Sequence, residues 1–222
     1  MVADGLQFLL VSPALDAEPC RDGRVLAGLT AVLQAYDDAP AAGLSALLLC
    51  DGAPDDNALD DAVLLETAAP IIRAGQAAGL AVLLENRSNL VEASGCDGLH
   101  VNAEAEGKAF ASLRRRLGDD RILGAGCGAS RHAAMLAGEA GADYIAFGGL
   151  EAGSAAEPAL VAWWADSMTP PVVALGAGTP EEVTALAAAG ADFVALAPAL
   201  WLEDTDPGAA VAKLLAAAGG KV

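Results

Sequence analysis

Polar side chains stand where two neighbouring apolar runs of the chain end. Glu85, Asn86 and Arg87 complete or follow one run, His100 lies within the next run, and Asn102 follows it. A carboxylate, an amide and a guanidinium together can offer one ligand an acid or base, a hydrogen-bonding group and a cation. We therefore predict Glu85, Arg87 and His100 as catalytic residues, and Asn86 and Asn102 as ligand-binding residues.

Each of these predictions competes with a structural interpretation. Glu85 and Arg87 could instead form an ion pair that closes the rim of the fold. A lone histidine such as His100 is commonly a hydrogen-bonded structural residue. The residues alone leave both interpretations open.

A glycine-rich turn supplies a second kind of site. Gly176-Ala177-Gly178 follows an apolar run, and Thr179-Pro180 then opens a helix, with threonine as the N-cap and proline at the first helical position. Backbone N–H groups at such a turn can approach an anion closely. We predict that Gly176, Ala177 and Gly178 bind phosphate. The alternative is a tight turn that binds no ligand.

Two further positions after apolar runs are predicted to contact a ligand. Gly148 ends one such run and Cys127 follows another. Cys127 could serve as a nucleophile if a base lay beside it. The competing interpretation is that its thiol is a small apolar filler.

The sequence predicts no metal site. The four cysteines are far apart and form no C-x-x-C pair, which argues against zinc and for a reduced, cytoplasmic protein. Glu85 and Glu104 follow successive apolar runs, but two carboxylates without a third ligand do not define a metal centre.

The charge balance narrows the class of partner. The 222 residues include 12 Lys and Arg against 30 Asp and Glu, a net charge of −18. Nucleic-acid binders and binders of anionic membranes need a basic patch, and the cluster Arg114-Arg115-Arg116 is predicted to be a solvated helix face. We expect a small phosphorylated metabolite as the partner, with no nucleic acid and no membrane. Whether the chain forms a homo-oligomer stays open.

Targeting and membrane segments are not predicted. No apolar run reaches the ~18 residues of a membrane-spanning helix. Residues 1–20 lack the basic start of a signal peptide.

The elements that must position these residues follow a repeated pattern. Five times an Ala-rich segment ends at a glycine and an apolar run begins, at Gly43, Gly79, Gly95, Gly141 and Gly190. Glycine suits the left-handed conformation that closes a helix, and runs that are apolar on both faces are typical of buried parallel strands. Ligands of such α/β folds bind at the carboxyl ends of the strands.

The full chain predicts eight strand–helix pairs in one domain over residues 1–222, a (β/α)8 TIM barrel. A doubly wound open sheet is the alternative. The predicted strands cover about residues 7–12, 45–50, 81–85, 98–101, 122–126, 143–148, 171–175 and 192–197. The predicted helices cover about residues 25–38, 59–78, 89–94, 106–117, 131–140 and 158–167, a segment that opens at residue 179, and 206–218.

The order of several short segments resembles thiamine phosphate synthase and the related thiazole tautomerase TenI. The resemblance extends from residue 10 to residue 200. It rests on four segments: residues 97–101 resemble the family's D-G-V-H-L, residues 141–145 resemble G-A-D-Y-I, residues 174–178 resemble A-I-G-G-I, and residues 189–192 resemble the family's approach to the eighth strand. The resemblance implies a TIM barrel. It also implies a synthase that joins a pyrimidine diphosphate to a thiazole phosphate with Mg²⁺, releasing pyrophosphate.

The family's reactive residues match this chain poorly. Its Q-x-R-x-K after the second strand falls on Leu48, Cys50 and Gly52, so both cations are missing. Its G-Q-x-D after the fourth strand ends at Ala105, which removes a metal-binding carboxylate. Its T-x-T-K after the sixth strand has no counterpart in residues 151–157.

These departures predict a paralogue with a diverged active site. We expect it to bind a small phosphorylated ligand without ordinary synthase activity, and to need Mg²⁺ only if synthase activity is retained. Two alternatives stay open. One is an active synthase or a TenI-like isomerase, and the other is a barrel enzyme with new acid–base chemistry around Glu85, Arg87 and His100.

Overall fold

Eight parallel strands in the computed structural model close into a barrel in chain order. The ring is completed where β1 pairs with β8, from Gln7 opposite Phe193 to Leu10 opposite Leu196. This pairing confirms the predicted (β/α)8 TIM barrel, and a doubly wound open sheet is wrong. The strands are β1 (Gln7–Ala14), β2 (Leu44–Cys50), β3 (Ala81–Glu85), β4 (Gly98–Asn102), β5 (Ile122–Gly126), β6 (Tyr144–Phe147), β7 (Val172–Ala177) and β8 (Phe193–Leu196).

Helices connect the strands around the outside of the barrel. The structure describes residues 5–35, 43–51, 60–103, 109–151, 153–202 and 206–217. Within these ranges the helices are α1 (Glu18–Arg21), α2 (Arg24–Gln34), α3 (Asp61–Ala77), α4 (Val91–Ser94), α5 (Phe110–Leu117), α6 (Arg131–Glu139), α7 (Pro158–Ser167), α8 (Pro180–Ala188), α9 (Ala199–Leu202) and α10 (Pro207–Ala217).

The predicted boundaries agree with these elements to within a few residues where the structure describes them. All five glycines have a left-handed φ, between 72° and 102°. Gly79, Gly95, Gly141 and Gly190 follow the ends of α3, α4, α6 and α8, so at these four positions the signal was a helix stop. The short helices α1 and α9 were not predicted, because four residues carry no periodic signal. Gly52, Glu104 and Ala105 lie outside the described residues. Within the described part, no helix combines the length and apolar character needed to span a membrane.

An aspartate directly precedes each of the strands β4, β6 and β8 and links it to the preceding strand at the amino-terminal end of the barrel. The Asp97 carboxylate accepts a hydrogen bond from Val82 N, and Asp97 N donates to Val82 O, both at 2.8 Å. Asp143 pairs with Leu123 in the same reciprocal way, and so does Asp192 with Val172. The G-x-D pattern before β4, β6 and β8 therefore builds three copies of one clamp.

Two apolar layers surround the strands. Alternate side chains of each strand point into the barrel, where Leu9, Val11, Leu48, Leu83 and Leu175 form one buried cluster. The intervening side chains pack outward against the helices in a larger cluster. Because the two layers alternate residue by residue, the register of each strand decides which of its polar residues enter the barrel.

Candidate functional site

The predicted site residues gather at the carboxyl ends of the strands. Cys50, Glu85 and Asn102 are the last residues of β2, β3 and β4, and Cys127 and Gly148 directly follow β5 and β6. In a closed barrel these ends form one mouth, which is where TIM-barrel ligands bind. The structure thus brings together residues that are up to 98 positions apart in sequence.

Arg87 lies between two aspartates at this mouth. Its Nε is 2.7 Å from Asp51 Oδ2, and its Nη1 is 3.2 Å from Asp61 Oδ1. Hydrogen bonding to Asp51 raises the pKa of Arg87, so the guanidinium is firmly protonated. The ion pair considered from sequence joined Arg87 to Glu85, but the described partners are Asp51 and Asp61, which reach it from β2 and α3.

Glu85 points into the mouth and holds the end of the neighbouring strand. Its Oε2 accepts a hydrogen bond of 3.1 Å from Asp51 N. Burial raises the pKa of Glu85, and the nearby Asp51 charge raises it further, against the lowering effect of that hydrogen bond. A carboxyl group with a raised pKa is suited to proton transfer at this position.

Cys50 is buried at the end of β2. Burial raises the pKa of its thiol well above the ordinary value, with Glu85 as the next cause. The thiol is therefore neutral and supplies neither a cation nor a nucleophilic thiolate. Cys50 N donates to Ser12 Oγ at 3.1 Å, which joins β1 to β2 beneath the mouth.

Asn86 and Asn102 connect two strand ends. Asn86 Oδ1 accepts a hydrogen bond from Asn102 N at 3.2 Å, and Asn86 N donates to His100 O at 2.8 Å. Asn86 has a positive φ of 54°, a conformation that asparagine tolerates better than most residues. Asn102 is exposed at the mouth. The predicted ligand contacts of both amides stay predictions.

His100 lies inside the barrel and is paired with Tyr144. Its Nδ1 is 2.7 Å from the Tyr144 hydroxyl, and the two rings stack with centroids 5.7 Å apart. Two glycines of β5 make room for them. A Cβ on Gly124 would lie 1.9 Å from Tyr144 Cζ, and a Cβ on Gly126 would lie 2.9 Å from His100 Nε2.

Burial sets the protonation of this pair. It lowers the pKa of His100 to about 4, so the imidazole is neutral at pH 7. Burial also raises the pKa of Tyr144, which keeps the phenol protonated. A neutral imidazole and a protonated phenol can form this hydrogen bond with either group as the donor, according to which imidazole nitrogen carries the proton. Tyr144 was missed from sequence. Its alternation with Ala146 in β6 was the signal that could have placed it inside the barrel.

The turn after β7 holds an anionic group of the chain itself. Gly178 N donates to Glu182 Oε2 at 2.7 Å, and Glu182 N donates to the Thr179 hydroxyl at 3.1 Å. Thr179 thus caps α8 as predicted. In an ordinary capping box the Glu182 carboxylate would accept a hydrogen bond from the N–H of the N-cap residue, Thr179. Here it accepts from Gly178 N instead.

The loop after β6 lies directly on the end of β7. A Cβ on Gly176 would come within 2.6 Å of Ser154 backbone atoms, so only glycine permits this approach. Ala156 N donates to Leu175 O at 3.0 Å, and Gly149 N donates to Ser154 O at 2.9 Å. Gly176 therefore supports the loop, and Gly178 presents its N–H at the turn. Phosphate binding by Gly176, Ala177 and Gly178 stays a prediction.

Cys127 and the basic cluster have structural contacts. The Cys127 thiol is buried and donates to Ala125 O at 3.4 Å, and its predicted ligand contact stays a prediction. Arg114 is not part of a solvated face, because its guanidinium binds Asp143 and the backbone carbonyls of Gly118, Arg121 and Gly141. Arg115 and Arg116 are exposed, as predicted.

No group of three side chains suited to a metal ion occurs among the described residues. The mouth nevertheless has one unusual oxygen. Asp51 Oδ1 is buried and has no hydrogen-bond partner in the described structure. Asp51 and Glu85 are thus two neighbouring carboxylates, one of which has an oxygen to spare.

Sequence comparisons with known proteins point to one family. The profile of the family described as thiamine monophosphate synthase matches residues 27–200. The thiamine-phosphate synthase of Rhodospirillum centenum is 41% identical over 164 residues, which are 70% of this chain and 77% of that protein. The thiamine-phosphate synthase of Chromobacterium violaceum is 33% identical over 199 residues, 85% of this chain and 94% of that protein.

Solved structures agree at the level of the fold. Thiamine phosphate pyrophosphorylase from Pyrococcus furiosus superposes with a TM-score of 0.71 over 97% of this chain and 95% of that one, at 17% identity. Orotidine 5'-phosphate decarboxylase from Pyrococcus horikoshii superposes with a TM-score of 0.66 over 97% of this chain and all of that one, at 14% identity. The barrel is shared widely, whereas the family profile and the sequence relatives are specific, and the chain belongs to the thiamine phosphate synthase and TenI family.

Proposed function

We propose that the barrel mouth binds a small phosphorylated ligand and does not support ordinary synthase turnover. The observation that carries this proposal is the 2.7 Å hydrogen bond from Gly178 N to the Glu182 carboxylate. An oxyanion of the chain already occupies the N–H group at the start of α8. A phosphate oxygen can replace it there, since helix starts favour anions.

The surroundings of Arg87 argue against ordinary synthase turnover. Departure of pyrophosphate leaves negative charge that cations must stabilise, and losing one such contact typically costs ~3–4 kcal/mol of barrier. Arg87 is already neutralised by Asp51 and Asp61. Cys50, where the resemblance places a family cation, presents a neutral buried thiol.

Phosphate binding is tested by removing the competing carboxylate. We expect Glu182→Ala to bind inorganic phosphate or a thiazole phosphate about tenfold more tightly than the wild type, because it frees the Gly178 N–H and removes a repelling charge. The measurement is isothermal titration calorimetry.

Glu181→Ala is the matched control, since Glu181 is exposed in the same helical turn and the same charge is removed. An equal gain in both variants would indicate a general charge effect and contradict the role of Gly178. Absence of heat at millimolar ligand in the wild type and in Glu182→Ala would refute the site.

Synthase activity is the second candidate, and the names of the relatives at 33–41% identity favour it. Mg²⁺ is commonly held by one or two carboxylates together with substrate phosphates. Asp51 and Glu85 fit this arrangement, because Asp51 Oδ1 is buried without a partner. Bound there, the ion would neutralise charge on a departing diphosphate.

In this second candidate the other mouth residues position the substrate. Arg87 would have to exchange an aspartate for the diphosphate. Glu85 would have to be ionised to hold the ion, against the burial that raises its pKa. Binding of Mg²⁺ with inorganic diphosphate, measured by calorimetry in the wild type and in Asp51→Asn, tests the carboxylate pair without an activity assay.

The assay that separates the two candidates is formation of thiamine phosphate from the pyrimidine diphosphate, the thiazole phosphate and Mg²⁺. We expect no product above an enzyme-free control. Turnover near the ~1–10³ s⁻¹ of ordinary enzymes would establish the synthase and overturn the argument from missing cations.

A further inference from the structure

The lower end of the barrel, opposite the mouth, contains an apolar cavity. Its volume is about 310 Å³. The wall of the cavity is almost entirely apolar. Its lining includes Leu9, Ala46, Ala81, Ile122, Val173 and Phe193. Two alanines leave space in this layer, because Ala46 and Ala81 are paired neighbours on β2 and β3 at positions where bulky side chains usually fill a TIM barrel. Several lining residues at the strand starts are partly exposed, so the cavity reaches solvent from below.

Polar groups at the edge of this cavity are already engaged. The Ser45 hydroxyl donates to Phe8 O at 3.3 Å. The Asp143 carboxylate accepts from Leu123 N and from the Arg114 guanidinium. A charged or strongly polar ligand would lose its water there without gaining partners. The lining therefore selects an uncharged apolar molecule.

The volume narrows the size of the occupant. An apolar cavity of ~150 Å³ stays dry and binds benzene, and this cavity is about twice as large. We propose that the lower barrel is a second binding site, distinct from the mouth, for an uncharged aromatic molecule of one or two rings. The hydrophobic gain of filling it is the driving force.

Tyr144 connects this site to the mouth. Its ring lines the lower cavity, while its hydroxyl lies 2.7 Å from His100 Nδ1. An aromatic molecule in the cavity contacts the same ring that orients the imidazole. Binding of an aromatic molecule in the lower cavity therefore changes the surroundings of the His100 imidazole.

The two histidines of the chain make this proposal directly testable. His132 is exposed on α6 and lines a separate surface groove. We expect benzene and indole to shift the NMR signals of the His100 imidazole in a saturable way and to leave those of His132 unchanged. Benzoate, which is similar in shape but charged, should shift neither.

Cavity-filling variants provide the matched controls. Ala81→Leu places a larger side chain in the cavity, and we expect it to weaken binding of indole about tenfold or more while the protein stays folded. Ala46→Val is a smaller filling change that serves if Ala81→Leu does not fold. Melting temperatures and circular dichroism establish that the variants are folded.

The outcomes are separable from those of the phosphate site. No saturable shift of His100 with either probe would overturn the proposal. So would shifts confined to His132, or binding that both filling variants leave unchanged. Phosphate binding at Gly178 is unaffected by any of these results, because it lies at the opposite end of the barrel.

Discussion

His100 and Ser12 are the polar side chains that the described part of the chain buries most fully. At this scale, environment decides chemistry more than residue type does. His100 is neutral because burial removes water from the imidazole, and Arg87 is charged but already paired. His100 and Arg87 were predicted from sequence as parts of one catalytic group. In the structure the first is buried and neutral, and the second is charged and ion-paired.

The pKa of His100 predicts a pH dependence of stability. Burial lowers it from 6.5 to about 4, so the unfolded chain takes up a proton that the folded chain refuses. The stabilisation is complete above the unfolded pKa and is lost as pH falls from about 6.5 towards 4. Between about pH 7.5 and pH 5, His100 should reduce the free energy of unfolding by about 2 kcal/mol.

Urea unfolding of the wild type and of His100→Asn at the two pH values measures this contribution. Glu85, whose pKa is raised, acts in the opposite direction, and the difference between the proteins cancels it. The asparagine variant should lack the His100 component. Equal pH dependence in both proteins would mean that the imidazole is not held neutral.

At the scale of elements, the clamp aspartates join alternate loops to the strands before them. Each carboxylate accepts one strand-starting N–H that would otherwise lie unpaired at the lower end of the barrel. Because the three clamps are alike, the repeated G-x-D segments have a structural reason and need no ligand.

Asp192→Ala should lower the free energy of unfolding by about 1–3 kcal/mol, since it leaves Val172 N without its acceptor. Asp192→Asn keeps an acceptor oxygen and should cost clearly less. Denaturant unfolding of both variants is the measurement. Equal losses would assign the effect to charge rather than to the hydrogen bond.

At the scale of the whole molecule, charge opposes the proposed ligand. The chain has a net charge of −18, and Asp51, Glu85 and Glu182 add acidic groups at the mouth. Salt screens such fields over ~8–10 Å at physiological ionic strength. The negative charges of the protein therefore repel a phosphorylated ligand unless dissolved ions screen those charges.

We expect inorganic diphosphate to bind more tightly as ionic strength rises from ~0.01 to ~0.15 M. Binding of uncharged indole in the lower cavity should change little over that range and serves as the control. Calorimetric titrations at each salt concentration are the test. Weaker diphosphate binding with added salt would show that a local cationic group dominates the mouth.

The sequence by itself determined the elements and their order. Helix-ending glycines, strand composition and the cap of α8 act through neighbouring residues, so their signals are local and predicted the eight strand–helix units. The barrel placed Glu85, Asn102, Cys127 and Gly148 at one mouth as expected, because parallel strands in order have one common carboxyl end.

Tertiary structure alone decided which side chains meet. Arg87 pairs with Asp51 and Asp61, which are 36 and 26 positions away, and Tyr144 meets His100 across 44 positions. Such contacts depend on strand register, on the absence of side chains at Gly124, and on how far each side chain reaches across the barrel. No pattern within one segment contains that information, so the partners of Arg87 and the lower cavity became visible only in three dimensions.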